Sequence, residues 1–277
     1  METIDHLEAR DAHPEDVCPD TETKDEIALH KNETNPQNRE ELTPEERASL
    51  HVRNANSRTI FKNPTLACQF LKGYLDLPIF ANLKPEDIED VTNTYQAYLG
   101  IEFETDTVKR IRLNINGVDR EIFVISLIDH KSYVDYDVSM QLLRYMVTIW
   151  HEFAKKKNRE KEFASIRKSF RYPLIIPIVY YEGAKKWTAD LHFHNRIECW
   201  KYARKLVPDF TYRVVRIHDY TNETLAERND EISLAFLINK IQNEKDYTEF
   251  LNTSREFVSK VYRNAPEDIR KIFQDIL

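Results

Sequence analysis

Glycine is scarce in this chain, with only four in 277 residues. None stands in a G-x-x-x-x-G-K or G-x-G-x-x-G arrangement, which argues against an ATPase or a dinucleotide-dependent enzyme. Cysteine is also sparse. Cys18, Cys68 and Cys199 lie far apart with no C-x-x-C pair, a usage that suits a reducing compartment and argues against a structural zinc finger. The longest apolar run, Tyr172 to Tyr181, is about half of what a bilayer-spanning helix needs. No basic-then-apolar leader opens the sequence. A cytoplasmic protein without a membrane partner is the expectation.

The acidic balance is not evenly spread. Residues 1–50 hold fifteen acids and five bases, a net of −10. Taking these from the 47 acids and 40 bases of the whole chain leaves 32 and 35, so the body carries a net of +3. The first 50 residues also lack aromatics and contain Pro14, Pro19, Pro36 and Pro44. Such a segment buries too little apolar surface to offset its ordering entropy, and it reads as a disordered acidic tail. Thr43, Pro44 and Glu46 would suit the start of one short helix.

From about residue 55 the pattern becomes that of a folded α/β domain. Apolar side chains at Leu66, Phe70, Leu71, Tyr74 and Leu75, with Pro64 at the start, predict a helix over 64–77. A second helix is expected over 84–98, because Pro85, Glu86 and Asp87 suit its first turn. Residues 107–115 alternate between apolar and polar, and 122–128 are apolar on both faces, as in a central strand. Asn116-Gly117 between them signals a hairpin, though a longer turn reaching Arg120 is also compatible. A long amphipathic helix follows over 135–157, with Val138, Leu142, Met146, Ile149, Trp150 and Phe153 as its stripe. Strands are expected over 173–181 and 211–217, and Pro177 implies an edge position or a bulge. Helices fill 223–277, clearest over 231–243 and 246–264.

The hairpin carries the chemistry. A tight turn at 116–117 sets Asp129 opposite position 104 and Lys131 opposite 102. A longer turn at 117–120 sets them opposite 108 and 106. Glu102, Glu104 and Asp106 share one strand face, so register alone does not choose among them. Two carboxylates can hold a hard divalent cation through oxygen, and a nearby ammonium can steady an attacking water or the charge growing on phosphate. Asp129 and Lys131 directly follow a fully apolar strand, and ends of such strands are where α/β sites gather. Gln141 and Tyr145 lie on one face of the next helix.

These pieces, in order, resemble a known family. Phe61-Lys62-Asn63-Pro64-Thr65-Leu66-Ala67 with Phe70-Leu71-Lys72-Gly73-Tyr74-Leu75 is similar to the N-terminal helix of the recombination-promoting nucleases, a transposase-like family of the PD-(D/E)XK superfamily. Phe123 to Ser132 looks like that family's catalytic strand. Gln141 to Met146 with Ile149-Trp150 looks like its following helix. Tyr172 to Tyr181 with Gly183 and Trp187 resembles its later strand and loop. The resemblance spans roughly 55–245. It implies a restriction-endonuclease-like α/β core over 55–222, a small mixed sheet flanked by helices, and a helical region over 223–277.

The resemblance further implies Mg²⁺- or Mn²⁺-dependent cleavage of DNA. Asp106 and Asp129, with Glu104 as a further candidate, would be the metal ligands. Asp106, Asp129, Lys131 and Gln141 would form the catalytic group. Many relatives carry Glu and Gln where this chain has Asp129 and Lys131, so the present pair stands closer to the superfamily pattern. The competing reading is a degenerate nuclease fold that binds DNA or a protein partner. Arg144, Lys155, Lys156 and Lys157 are candidate DNA contacts, although cations at a helix end also suit its dipole. A homodimer is a candidate assembly. His192 and His194, flanking Phe193, could ligate a metal, with Glu198 or Cys199 as third donor; a polar surface strand is the plainer reading.

Overall fold

The computed structural model of the protein describes residues 55–99, 106–129, 134–183, 185–241 and 244–277. The acidic tail and its expected short helix lie outside these described residues. Residues 55–62 are helical, and Asn63 then starts α1 (Pro64–Tyr74). The Asn63 Oδ1 accepts from the N–H groups of Thr65 and Leu66 at 2.9 and 3.1 Å, satisfying two donors that the first turn would leave orphaned. The helix ends three residues earlier than its apolar spacing suggests. Asp76 adopts φ 51°, a left-handed conformation that a helix cannot continue through.

The single helix expected over 84–98 is not present. Instead Pro85–Asp87 form one 3₁₀ turn, Ile88–Asp90 form strand β1, and α2 covers Thr92–Leu99. Two carboxylates break up the run. Asp87 accepts from the Lys84 N–H at 3.0 Å and Asp90 from the Thr92 N–H at 2.9 Å. Between them Ile88 is buried and paired with Ile111 of the neighbouring strand. Sheet pairing and burial outweigh the local helical preference.

Strands β2 (Thr107–Ile115) and β3 (Val118–Asp129) form the hairpin. Ile115 opposes Val118 and Thr107 opposes Ser126, so the tight register is the one adopted. Asn116 and Gly117 both take positive φ, 53° and 78°, as the two central residues of a type I′ turn must. Helix α3 (Val138–Glu160) crosses back to β4 (Leu174–Tyr181), which lies parallel to β3, and β5 (Arg213–Arg216) lies parallel to β4. The sheet order is β1-β2-β3-β4-β5.

Pro177 therefore sits in an interior strand, not an edge strand. Even so, β5 pairs with β4 only from Ile178 onward. At Pro177 the strand still lacks that neighbour, which is where a missing N–H costs least. The shorter β5, against the expected 211–217, is prolonged only by an isolated bridge between His192 and Thr211.

The C-terminal part consists of α4 (Asn222–Arg228), α5 (Glu231–Asn239), α6 (Glu244–Asn264) and α7 (Glu267–Ile276). The sheet is covered on both faces. Ile111, Ile122, Val124, Ile178 and Tyr180 pack with residues of 55–62, α1 and α5–α7. Val108, Phe123, Ile125, Leu127 and Val179 pack against α3 through Val138, Leu142, Tyr145, Met146 and Ile149. Such two-sided burial explains why β3 reads as a continuous apolar run. The result is a small mixed five-stranded sheet flanked by helices, with a helical C-terminal part, consistent with an α/β nuclease-like core.

Candidate functional site

Because β2 runs antiparallel to β3, its first residues lie at the same end of the sheet as the C-termini of the parallel strands β3, β4 and β5. Asp106, immediately before β2, is only 5 % exposed. Extending the observed pairing by one residue sets Asp106 opposite Leu127, two residues short of Asp129. In an antiparallel pair such diagonal neighbours have Cα atoms about 7–8 Å apart. Asp129 ends β3 and pairs through its backbone with Tyr181; its side chain is outside the described part of the structure.

Asp106 is held from the α3 side. The Tyr145 hydroxyl donates to Asp106 Oδ2 at 3.2 Å, and Tyr145 is fully buried. The residue that could have been plain packing is thus also a partner of the acid. On the β1 side the Val108 N–H donates to the Thr92 hydroxyl at 2.9 Å, and Lys109 donates to Asp90 Oδ2 at 2.8 Å. These contacts fix the path of β2 where it leaves Asp106. Burial by itself would raise Asp90, but Lys109 and Thr92 hold its carboxyl below the ordinary value. Lys109 is lowered too, chiefly by burial, against the pull of Asp90.

Gln141, one turn before Tyr145 on α3, is half-buried. Glu104 and Lys131 lie outside the described residues, as do Glu102 and His130. The candidate DNA contacts are spread along α3. Arg144 is exposed near the site end. Lys155 and Lys157 pair with Glu152 and Glu160 of their own helix, both at 2.8 Å. Lys156 reaches Glu121 at 3.5 Å. Glu121 is eight residues before Asp129 along β3, about 26 Å at strand rise, so these lysines lie toward the opposite end of the sheet from Asp106.

With this geometry in view, a family model described as "Putative transposase, YhgA-like" matches residues 54–268. The chain belongs to this family. The YhgA-like family is a PD-(D/E)XK nuclease-like group, so the membership agrees with the resemblance read from the residues. No curated protein and no solved structure gave a match.

This family member holds two polar groups that sequence reasoning missed or mis-set. Glu182, just past β4, is 4 % exposed. Its Oε1 accepts from the Ser57 hydroxyl at 2.6 Å and from the Asn239 side-chain amide, which also donates to Ser57 at 3.0 Å. The signal was available, since Glu182 follows an apolar strand just as Asp129 does. Tyr180, Ile178 and Glu182 alternate on one strand face, opposite to that of Tyr181, so Glu182 lies on the side of α1 and α5. His192 and His194 do come together, but their third neighbour is Asp209 rather than Glu198 or Cys199. His192 precedes a 3₁₀ turn (Phe193–Arg196) and His194 lies within it, so the pair does not sit on a regular strand.

Proposed function

We propose that this transposase-family protein is a metal-dependent DNA endonuclease, with its site at the sheet end formed by Asp106 and Asp129. The observation that carries the reading is the buried carboxylate of Asp106, held by Tyr145 and set by the hairpin register diagonally across from the end of β3. A buried acid is costly unless it is paired or holds a cation. An all-oxygen donor set suits a hard ion such as Mg²⁺ or Mn²⁺.

In this proposal Asp106, Asp129 and Glu104 are the residues that hold the ion. The metal would supply Lewis-acid stabilisation of charge on the cleaved phosphate. Lys131 orients the attacking water and offsets charge on the phosphoryl oxygens. Gln141, facing the site from α3 one turn before Tyr145, positions Lys131 or a phosphate oxygen. Tyr145 fixes the rotamer of Asp106 from the buried side. Arg144, on the exposed side of the same helix, contacts the DNA backbone as a charge-assisted donor. Lys155, Lys156 and Lys157 extend that contact further along the duplex, and two protomers acting on opposite strands would form the homodimer.

Plasmid incubated with the purified protein should be nicked with Mg²⁺ or Mn²⁺ and left intact with EDTA. Asp106→Asn and Asp129→Asn should each lower the rate by about 100-fold or more while keeping the wild-type melting temperature within a few degrees. Undiminished nicking by either variant would refute the assignment. DNA binding without any metal-dependent nicking would favour a degenerate module that recognises DNA, or a protein partner, without cutting.

A further inference from the structure

The connection from β4 to β5 carries a side-chain cluster that the proposed cleavage site does not use. Phe193 is buried, and its ring stacks on Phe210 with centroids 5.4 Å apart. Its N–H donates to the Phe210 carbonyl at 3.0 Å, and His192 bridges Thr211. This short antiparallel contact fixes the backbone of 192–194 against 209–211. The flanking residues His192 and His194 are thereby brought to Asp209. His194 Nδ1 lies 2.8 Å from Asp209 Oδ2, and His192 Nδ1 lies 3.3 Å from the same oxygen. One candidate ligand atom from each residue falls within 4.8 Å of the others.

We propose that His192, His194 and Asp209 form a binding site for Zn²⁺ or a similar borderline divalent transition metal, separate from the nuclease site. Two imidazoles and one carboxylate are the donor set such ions take, whereas Mg²⁺ prefers oxygen alone. Tetrahedral Zn²⁺ with bonds near 2.0–2.1 Å needs ligand atoms about 3.3 Å apart. The 3.3 Å separation already meets this, and the 2.8 Å one must open by only a few tenths of an ångström.

Asp209 is oriented for the role. The His194 N–H donates to its Oδ1 at 3.2 Å, leaving Oδ2 as the atom turned toward both imidazoles, the kind of outer support that metal ligands require. The Trp200 ring stands 3.9 Å from the His194 ring and walls one side. The His192 and Asp209 side chains remain 51 % and 38 % exposed, so solvent can complete the coordination. A metal held here ties residues 192–194 to 209 and closes the intervening loop, so its binding should stabilise the fold.

The test uses the untagged full chain, stripped with a chelator and titrated calorimetrically with Zn²⁺ in excess Mg²⁺. The expected result is one equivalent bound, a higher melting temperature, and, with Co²⁺ instead, visible absorption bands without a thiolate charge-transfer band. His192→Ala, at the most exposed ligand, should weaken binding about tenfold or more and leave the metal-free melting temperature unchanged. Asp209→Asn should do the same to binding. Zn²⁺ affinity unchanged in both variants, no binding by the wild type under these conditions, or a cysteine signature in the Co²⁺ spectrum would each overturn the proposal. None of these outcomes bears on Asp106 and Asp129.

Discussion

Lys109 is 3 % exposed, yet its ammonium pairs with Asp90, whose side chain keeps 32 % of its surface in water. The two members of this pair gain unequally. Asp90 is held low by Lys109 and Thr92 despite its burial. Lys109 is lowered because burial of the ammonium outweighs the attraction of Asp90. A depressed carboxylate contributes stability that is present above its ordinary value of 3.8 and is lost as pH falls through the lower folded value. A depressed lysine works the other way at neutral pH, because the folded state binds its proton less readily than the unfolded one. Replacing both members of a buried ion pair with uncharged side chains is often neutral or stabilising, whereas removing one partner alone strands the other charge. Lys109→Met combined with Asp90→Asn should therefore melt at or above the wild-type temperature at pH 7, because the buried ammonium is gone and the amide oxygen at position 90 can still accept from the Thr92 N–H. The double variant should also lose less stability than wild type as pH falls below about 3.8, since it has no depressed carboxyl at position 90 to protonate. Urea titrations across that window check both points, and a loss of several kcal/mol at pH 7 would show that the pair is a net support of β2.

At the scale of elements, the β2–β3 hairpin decides where Asp106 lies, and its turn is chemically demanding. Gly117 has φ 78°, while a Cβ placed there would touch nothing within 4 Å. The cost of Gly117→Ala is thus backbone strain alone, about 1 kcal/mol, read as a lower urea midpoint at unchanged slope; no change would mean that the turn tolerates another conformation. The hairpin was legible in the sequence because Asn116-Gly117 and the flanking alternation point the same way. Its sequence is compatible with two turn registers, and the pairing of Ile115 with Val118 is the one adopted. By contrast, residues 84–98 misled. Pro85, Glu86 and Asp87 have the chemistry of a helix start, but Asp87 closes a single turn and Ile88 is claimed by Ile111, a partner no local window contains. Tyr145 was visible as a neighbour of Gln141 on one helix face. That it donates to Asp106 depends on the packing of α3 across the sheet. Glu182 was overlooked because its partners, Ser57 and Asn239, are 125 and 57 residues away.

At the scale of the molecule, the C-terminal helices and the sheet share one core. Phe236 of α5 stacks on Tyr180 of β4 at 5.1 Å and meets Phe70 of α1 at 6.1 Å. Ile232, Leu234, Phe236, Leu237 and Ile238 of α5 are all 5 % exposed or less. Burying five such side chains is worth on the order of 10 kcal/mol, comparable with the whole stability of an ordinary domain. Asn239 adds a polar tie, since its amide completes the hydrogen bonds around the buried Glu182 and Ser57. A chain cut after residue 222 would uncover Tyr180, Phe61 and Phe70 and leave the Glu182 carboxylate short of a donor, a loss that is expensive for a buried charge. Residues 1–222 alone should therefore give no cooperative thermal transition and should be digested rapidly under protease conditions that leave the full chain intact. A sharp melt for 1–222 close to that of the full chain would instead show that the sheet and its N-terminal helices stand by themselves, with α4–α7 as an attachment to a nuclease-like core already complete at Arg216.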